Sequence, residues 1–242
     1  MIRWLAAAIA VLVVAAVGLV AVGFVFGNPA LLVPRVPPSS GMDRFLLVVW
    51  PTACLIEVLS AGLRARASAA TAAAVGSVLR LAAAWQLGWG LLWGSVHLRG
   101  EPDSLWLGLW AVGGAVVWQV LPREKSQRWV ATALVVALVA TGGLIVWGGW
   151  LKGGLTSLPL ACAVGLLVWR VKEPSFRGVV IGCGAAATVG LATLGHFFGR
   201  VSGVQAALLA ASLVGVAAAV SWPRASRAER DVERRGESEP SS

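Results

Sequence analysis

Charge is what this chain has least of. Only 13% of its 242 residues are Asp, Glu, Lys or Arg, against about 25% in an ordinary soluble domain. Hydrophobic residues make up 58%, and the apolar runs recur from end to end, which leaves no stretch for a separate soluble domain. Carboxylate clusters are missing as well. The acidic residues gather only in the short segment HLRGEPDS and near the C-terminus, so nothing resembles the paired carboxylates that hold divalent cations for phosphate or prenyl chemistry. There is no HExxH, no Walker A lysine loop and no serine nucleophile with a nearby base. These absences argue against an enzyme.

Cysteine is scarce too. Cys54, Cys162 and Cys183 all fall inside apolar runs without CxxC spacing, which reads as small core residues and not as a redox or zinc site. The two histidines, His97 and His196, match no ligand motif, so no metal and no cofactor is expected. The net charge of +9 is carried by basic residues placed singly or in small groups between apolar runs. That distribution does topological work in a membrane and leaves no nucleic-acid footprint.

What remains is an all-α, polytopic membrane helix bundle. A spanning helix needs about 20 mainly apolar residues, and breaking the chain at charged or Pro-rich punctuation predicts eight spans: 4–26, 44–64, 71–96, 105–121, 129–151, 154–170, 178–198 and 202–222. The first begins with a charged start, MIRW, but its apolar stretch is longer than the 7 to 15 residues of a signal peptide core and no A-x-A site follows, so it is expected to be a retained helix. The sixth is the weakest, being short, preceded by Gly153 and Gly154 and interrupted by Pro159.

Eight spans put the N-terminus, the even-numbered loops and the C-terminal segment on one side. Arg3, Arg64, Arg66, Arg123, Lys125, Arg128, Arg170, Lys172, Arg177 and the five arginines after position 222 lie there, 14 of the 20 basic residues. The other side holds five: Arg35, Arg44, Arg99, Lys152 and Arg200. By the excess of Lys and Arg in cytoplasmic loops, both termini are expected inside. Most of the 13 tryptophans fall near predicted helix ends, where an interfacial aromatic belt would put them. Trp89, Trp93, Trp106 and Trp110 flank one outer loop in this way. Residues 223–242, rich in charge of both signs with almost nothing apolar, are expected to be a disordered cytoplasmic tail. Arginine in place of lysine and abundant Ala, Val and Gly point to a GC-rich bacterial genome, hence to the cytoplasmic membrane of a bacterium. The lipid bilayer is the one partner the sequence specifies.

Two stripes of small residues recur every fourth position, Gly178, Gly182, Ala186 and Gly190 on the seventh span, and Gly203, Ala207, Ala211 and Gly215 on the eighth. Since lipid offers helices no hydrophobic drive to associate, such stripes let backbones approach and gain dispersion contacts. The short turn between these spans predicts that the two stripes pack on each other.

Against this background one carboxylate stands out. Glu57 lies in the apolar run PTACLIEVLSAGL. At about 100° per residue its face carries Trp50, Ala53, Cys54, Ser60, Ala61 and Arg64, whereas Val48, Leu55 and Leu59 point away. Arg80 is the one basic residue well inside a span. It shares its face with Ala73, Gly76, Ser77, Ala83 and Ala84, opposite Val75, Val78 and Trp85. Glu57 and Arg80 are equally far from the middle of the intervening turn RARASAAT, so an antiparallel hairpin would hold them at one depth, about 10 to 15 Å from the cytoplasmic end at 1.5 Å per residue. An unpaired charge at a helix centre costs about 3 kcal/mol on insertion scales, and the two residues are therefore expected to pair. Such a pair reads in two ways: as the protonatable centre of a small permease or transporter-like subunit, or as a brace in a non-catalytic membrane scaffold or assembly subunit. Snorkelling of Arg64 toward Glu57 is a third account.

Overall fold

The computed structural model describes residues 2–28, 31–92, 104–120, 127–198, 201–212 and 215. Among them there is no strand, and the regular structure is all helical. The helices are α1 (Ile2–Val25), α2 (Gly41–Arg64), α3 (Ala69–Leu92), α4 (Ser104–Val120), α5 (Gln127–Trp147), α6 (Leu151–Arg170), α7 (Pro174–Phe198) and α8 (Gly203–Ser212). Five of them, α1, α2, α5, α6 and α7, are long and apolar enough within the described residues to cross a membrane. The spans expected at 71–96, 105–121 and 202–222 extend outside the described residues, and 223–242 lies wholly outside them.

Helix α7 is the axis of the bundle. It packs against α1 to α6 and is buried on every side, with Val179, Ile181, Cys183, Ala185, Ala187 and Leu191 inaccessible. An all-round apolar helix is stable only when enclosed, and its Gly- and Ala-rich sequence lets six neighbours come close. The outer helices are one-sided. α1 buries Ala7, Ala8, Val11 and Ala15 while Ile9, Val13 and Val17 stay half or more exposed. α2 buries Ala53, Cys54 and Val58 and exposes Val48, Leu55 and Leu59. Exposed aliphatic stripes of this kind are what a lipid-facing surface needs, because only the inner face has to be distinguished by small or polar residues.

Helix α2 starts from a reciprocal cap. The Ser40 hydroxyl accepts from the Asp43 N–H, and the Asp43 carboxylate accepts from the Ser40 N–H, each at 3.1 Å. Ser39 Oγ and the Arg35 N–H also donate to Asp43, and Lys152 Nζ at the start of α6 stands 3.6 Å away. This buried carboxylate thus gathers the 31–40 segment, α2 and α6 into one knot. Next comes a wide π-helical turn, Phe45–Val49. It immediately precedes Pro51, which has no N–H to donate and whose ring would press on the carbonyl one turn earlier. Below the wide turn α2 is regular to Arg64.

Helix α6 is continuous through Pro159. Its partner α1 makes room: a methyl at Gly18 would sit 3.0 Å from Pro159 Cβ. The glycines before it, which weaken the sixth span as a sequence signal, are where α5 and α6 cross. A side chain at Gly142 would overlap Ser157 and the Gly154 carbonyl, and one at Gly154 would overlap Val146. The turn joining these helices ends in Gly149, at φ +88°, a conformation open to glycine without steric cost. At the opposite end of the bundle Arg3 of α1 bonds Glu173 between α6 and α7 at 3.0 Å, an exposed pair of small energetic weight.

The α5–α6 crossing yields a direct comparison. Gly142→Leu is expected to lower thermal stability in detergent by the equivalent of about 1–3 kcal/mol, the usual cost of overpacking. Gly143→Leu, at a position with nothing within 4 Å of an added Cβ, should melt like the parent. Equal melting temperatures for the two variants would contradict this account of the crossing.

Candidate functional site

The polar centre is assembled from four helices. On α2, Glu57 has 0% of its side-chain surface exposed, and on α3 Arg80 has 2%. Arg80 Nε donates to Glu57 Oε1 at 2.7 Å and Nη2 donates to Oε2 at 3.2 Å. This is the two-pronged geometry in which a guanidinium binds a carboxylate most strongly. The third prong, Nη1, donates to Gln119 Oε1 of α4 at 2.6 Å. The fourth helix, α7, contributes an absence of side chain. A methyl at Gly182 would overlap the Glu57 carboxyl group, so the carboxylate lies directly on the α7 backbone. On α3, Gly76 does the same for the guanidinium, with Nη1 3.1 Å from where a Cβ would stand.

Helix α2 is held against α7 along its length by further contacts. Trp50 Nε1 donates to the Cys183 carbonyl at 3.0 Å. Phe45, in the wide turn, fills the space that a side chain at Gly190 would need. The Ser60 hydroxyl, one turn after Glu57, is buried and has no hydrogen-bond partner among the described residues. Arg64 is partly buried, and Arg80 supplies two nitrogens to the Glu57 carboxylate.

Part of the α7 small-residue stripe receives α2: Gly182 and Gly190 face Glu57 and Phe45, and Gly178 and Ala186 of the same stripe are buried. On the eighth helix Ala207, Ala211 and Gly215 are exposed. The residue α8 buries is Ala206, one step round from Gly203 and Ala207.

His97 lies outside the described residues. His196 stacks on Trp110 with ring centroids 4.7 Å apart, and its Nδ1 is 3.0 Å from the Val201 carbonyl oxygen. Trp110 Nε1 donates to Thr193 Oγ1 at 2.8 Å. Among the described residues no three His, Cys, Asp or Glu side chains come together as a metal site would need.

Two residues of the polar framework escape a reading of the sequence. Gln119 carries two signals: it is the single amide in an otherwise apolar run, and it lies about as far beyond the middle of the connection between the third and fourth spans as Arg80 lies before it. Asp43 had a signal in the pattern SGMD before an apolar run, a Ser followed three residues later by an acid. Comparison with protein-family models, with curated proteins and with solved structures returns no match for the chain.

A buried ion pair is costly to break and cheap to replace. Glu57→Gln or Arg80→Met alone is expected to cost about 3–5 kcal/mol, because each leaves its partner buried without a countercharge. The double change Glu57→Leu with Arg80→Met should recover most of that loss. The check is unfolding in mild detergent of the parent, both single variants and the double; a double variant less stable than either single one would refute the pairing.

Proposed function

We propose that the protein is an integral membrane protein of eight spans with both ends in the cytoplasm, set in a bacterial cytoplasmic membrane. In this reading it is a non-transporting scaffold or assembly subunit, and Glu57, Arg80 and Gln119 are its internal brace. The observation that carries the reading is the enclosure of the pair. Both oxygens of Glu57 are engaged by one guanidinium, neither side chain has appreciable exposed surface, and the α7 backbone closes the remaining side at Gly182. A transport carboxylate must exchange protons or ions with water during each cycle, so it needs a path that reaches it. A brace needs the opposite. The five helices apolar enough to span a bilayer and the exposed aliphatic stripes support the membrane assignment. The distribution of Lys and Arg supports the orientation.

One observation favours the competing permease reading. The buried Ser60 hydroxyl has no partner among the described residues and stands one turn from Glu57, as a polar group lining an occasional water path would.

Proteoliposomes containing the purified chain separate the two. With a pH-sensitive dye inside, an imposed proton gradient is expected to decay at the rate of protein-free vesicles, for the parent and for Glu57→Gln alike. A faster decay that Glu57→Gln abolishes, in a variant that remains folded by circular dichroism, would replace the scaffold with a transporter.

A further inference from the structure

Hydroxyls inside the helices of this protein share one habit. Thr52, Ser77, Thr141, Thr156, Thr188 and Thr193 each donate to the carbonyl four residues earlier, at 2.7–2.9 Å, a common way for a helical hydroxyl to satisfy itself. Ser60 departs from it. The residue is 0% exposed, and among the described residues its Oγ has no hydrogen-bond partner, the Ile56 carbonyl one turn back included. The oxygen stands instead 3.8 Å from the point on α3 where a Cβ of Gly76 would lie, and Arg80 Nη1 stands 3.1 Å from the same point. Apart from the α3 backbone and the residues flanking Gly76, these two polar atoms are the ones within 4 Å of that point among the described residues. Gly76 is itself buried. Its missing side chain thus leaves an enclosed, methyl-sized space bordered by a hydroxyl and a guanidinium.

The guanidinium also has donors to spare. Of its five N–H groups, Nε and Nη2 each give one to Glu57 and Nη1 gives one to Gln119. One N–H on each terminal nitrogen is left over, in a side chain only 2% exposed. Buried polar groups in this position are ordinarily met by interior water, which bonds two to four of them at once. We propose that the space beside Gly76 is a binding site for a single water molecule, which accepts from Arg80 Nη1 and bonds the Ser60 hydroxyl. Charge selects water over an ion. Glu57 and Arg80 cancel one another, so an anion or a cation here would be buried without a countercharge, and a cation would also face the N–H groups of the guanidinium. A neutral molecule that both accepts and donates suits the two groups, and the space of one missing methyl limits it to one heavy atom. The site rests on the brace reading above and extends it: Ser60 is satisfied from within the polar centre, without a path to solvent. Gly76 has its reason in the same geometry, because any larger residue puts carbon where the water oxygen belongs.

The test is a crystal structure of the full chain grown in a lipid mesophase, at a resolution that shows ordered water, for the parent, Gly76→Ala and Ser60→Ala. The parent is expected to show one isolated density peak at hydrogen-bonding distance, about 2.7–3.2 Å, from both Ser60 Oγ and Arg80 Nη1. Gly76→Ala should lose the peak and turn the Ser60 hydroxyl to the Ile56 carbonyl. Ser60→Ala, which adds no atom and so guards against a Gly76 variant that does not fold, should lose the peak by removing one of its two partners. A parent without the peak, a protein side chain in its place, or a peak of unchanged height in either variant overturns the water site and leaves the brace standing. A file of peaks running from the site to either surface of the bundle overturns both, since it would mark a route by which solvent reaches the pair.

Discussion

A carboxylate enclosed by apolar helices must be neutralised, and in this protein that requirement organises the bundle around Glu57. Its two oxygens take two nitrogens of Arg80, and this commits α2 and α3 to one register. The guanidinium's remaining edge then needs an acceptor, which brings in Gln119 of α4. The pair has to be shielded on its fourth side by something that neither clashes nor adds a further charge. The bare backbone of α7 at Gly182 meets that need. A single ionisable group thereby dictates which face of four helices is turned inward. Its value lies less in net stability, since buried ion pairs seldom outperform apolar packing, than in penalising every arrangement that separates the partners.

The remainder of the bundle is held by close approach. Where lipid surrounds the outside, apolar side chains gain little by being inside; what favours association is the density of contact and the satisfaction of polar groups. The chain accordingly places its glycines at the points where a large group from one helix meets the backbone of another: Pro159 on Gly18, Phe45 on Gly190, Glu57 on Gly182, and the mutual crossing of Gly142 and Gly154. Two of these four recesses lie on α7, which explains why the most enclosed helix is also among the least bulky. The wide turn in α2 belongs to the same logic. It accommodates Pro51 and lies next to Trp50, whose indole reaches the Cys183 carbonyl, so the irregularity occurs where α2 and α7 are most tightly coupled.

The helices themselves are legible in the sequence, because apolar runs bounded by Arg, Pro and Gly follow from the length of a span and need no knowledge of neighbours. The inward faces of α2 and α3 are legible for a related reason: Glu57, Ser60 and Cys54 lie on one side of a helical wheel and Val48, Leu55 and Leu59 on the other. Residues equally distant from a tight turn also share a depth, which is how Glu57 and Arg80 can be connected from spacing alone. Identity of the third partner is another matter. Gln119 and Arg80 are about equally distant from the middle of the sequence between their two helices, so spacing can put them at one depth, but it does not say that the amide turns toward the guanidinium. A stripe of small residues states that something approaches closely but not what. Gly182 and Gly190 would look the same whether they received α8 or, as they do, the side chains of α2.

The contacts around α7 differ in kind from those toward α4 and α8. Around α7 they are made by bare backbone, by the paired charges and by hydrogen bonds to carbonyls. On α4 the polar side chains reach across to two other helices, Gln119 to Arg80 at 2.6 Å and Trp110 to Thr193 at 2.8 Å, while Trp118 is buried among its neighbours. What joins these helices at the centre is therefore specific in geometry: two nitrogens of Arg80 on the two oxygens of Glu57 and the third on Gln119 set α2, α3 and α4 in one register, which apolar contact alone would leave free to slide.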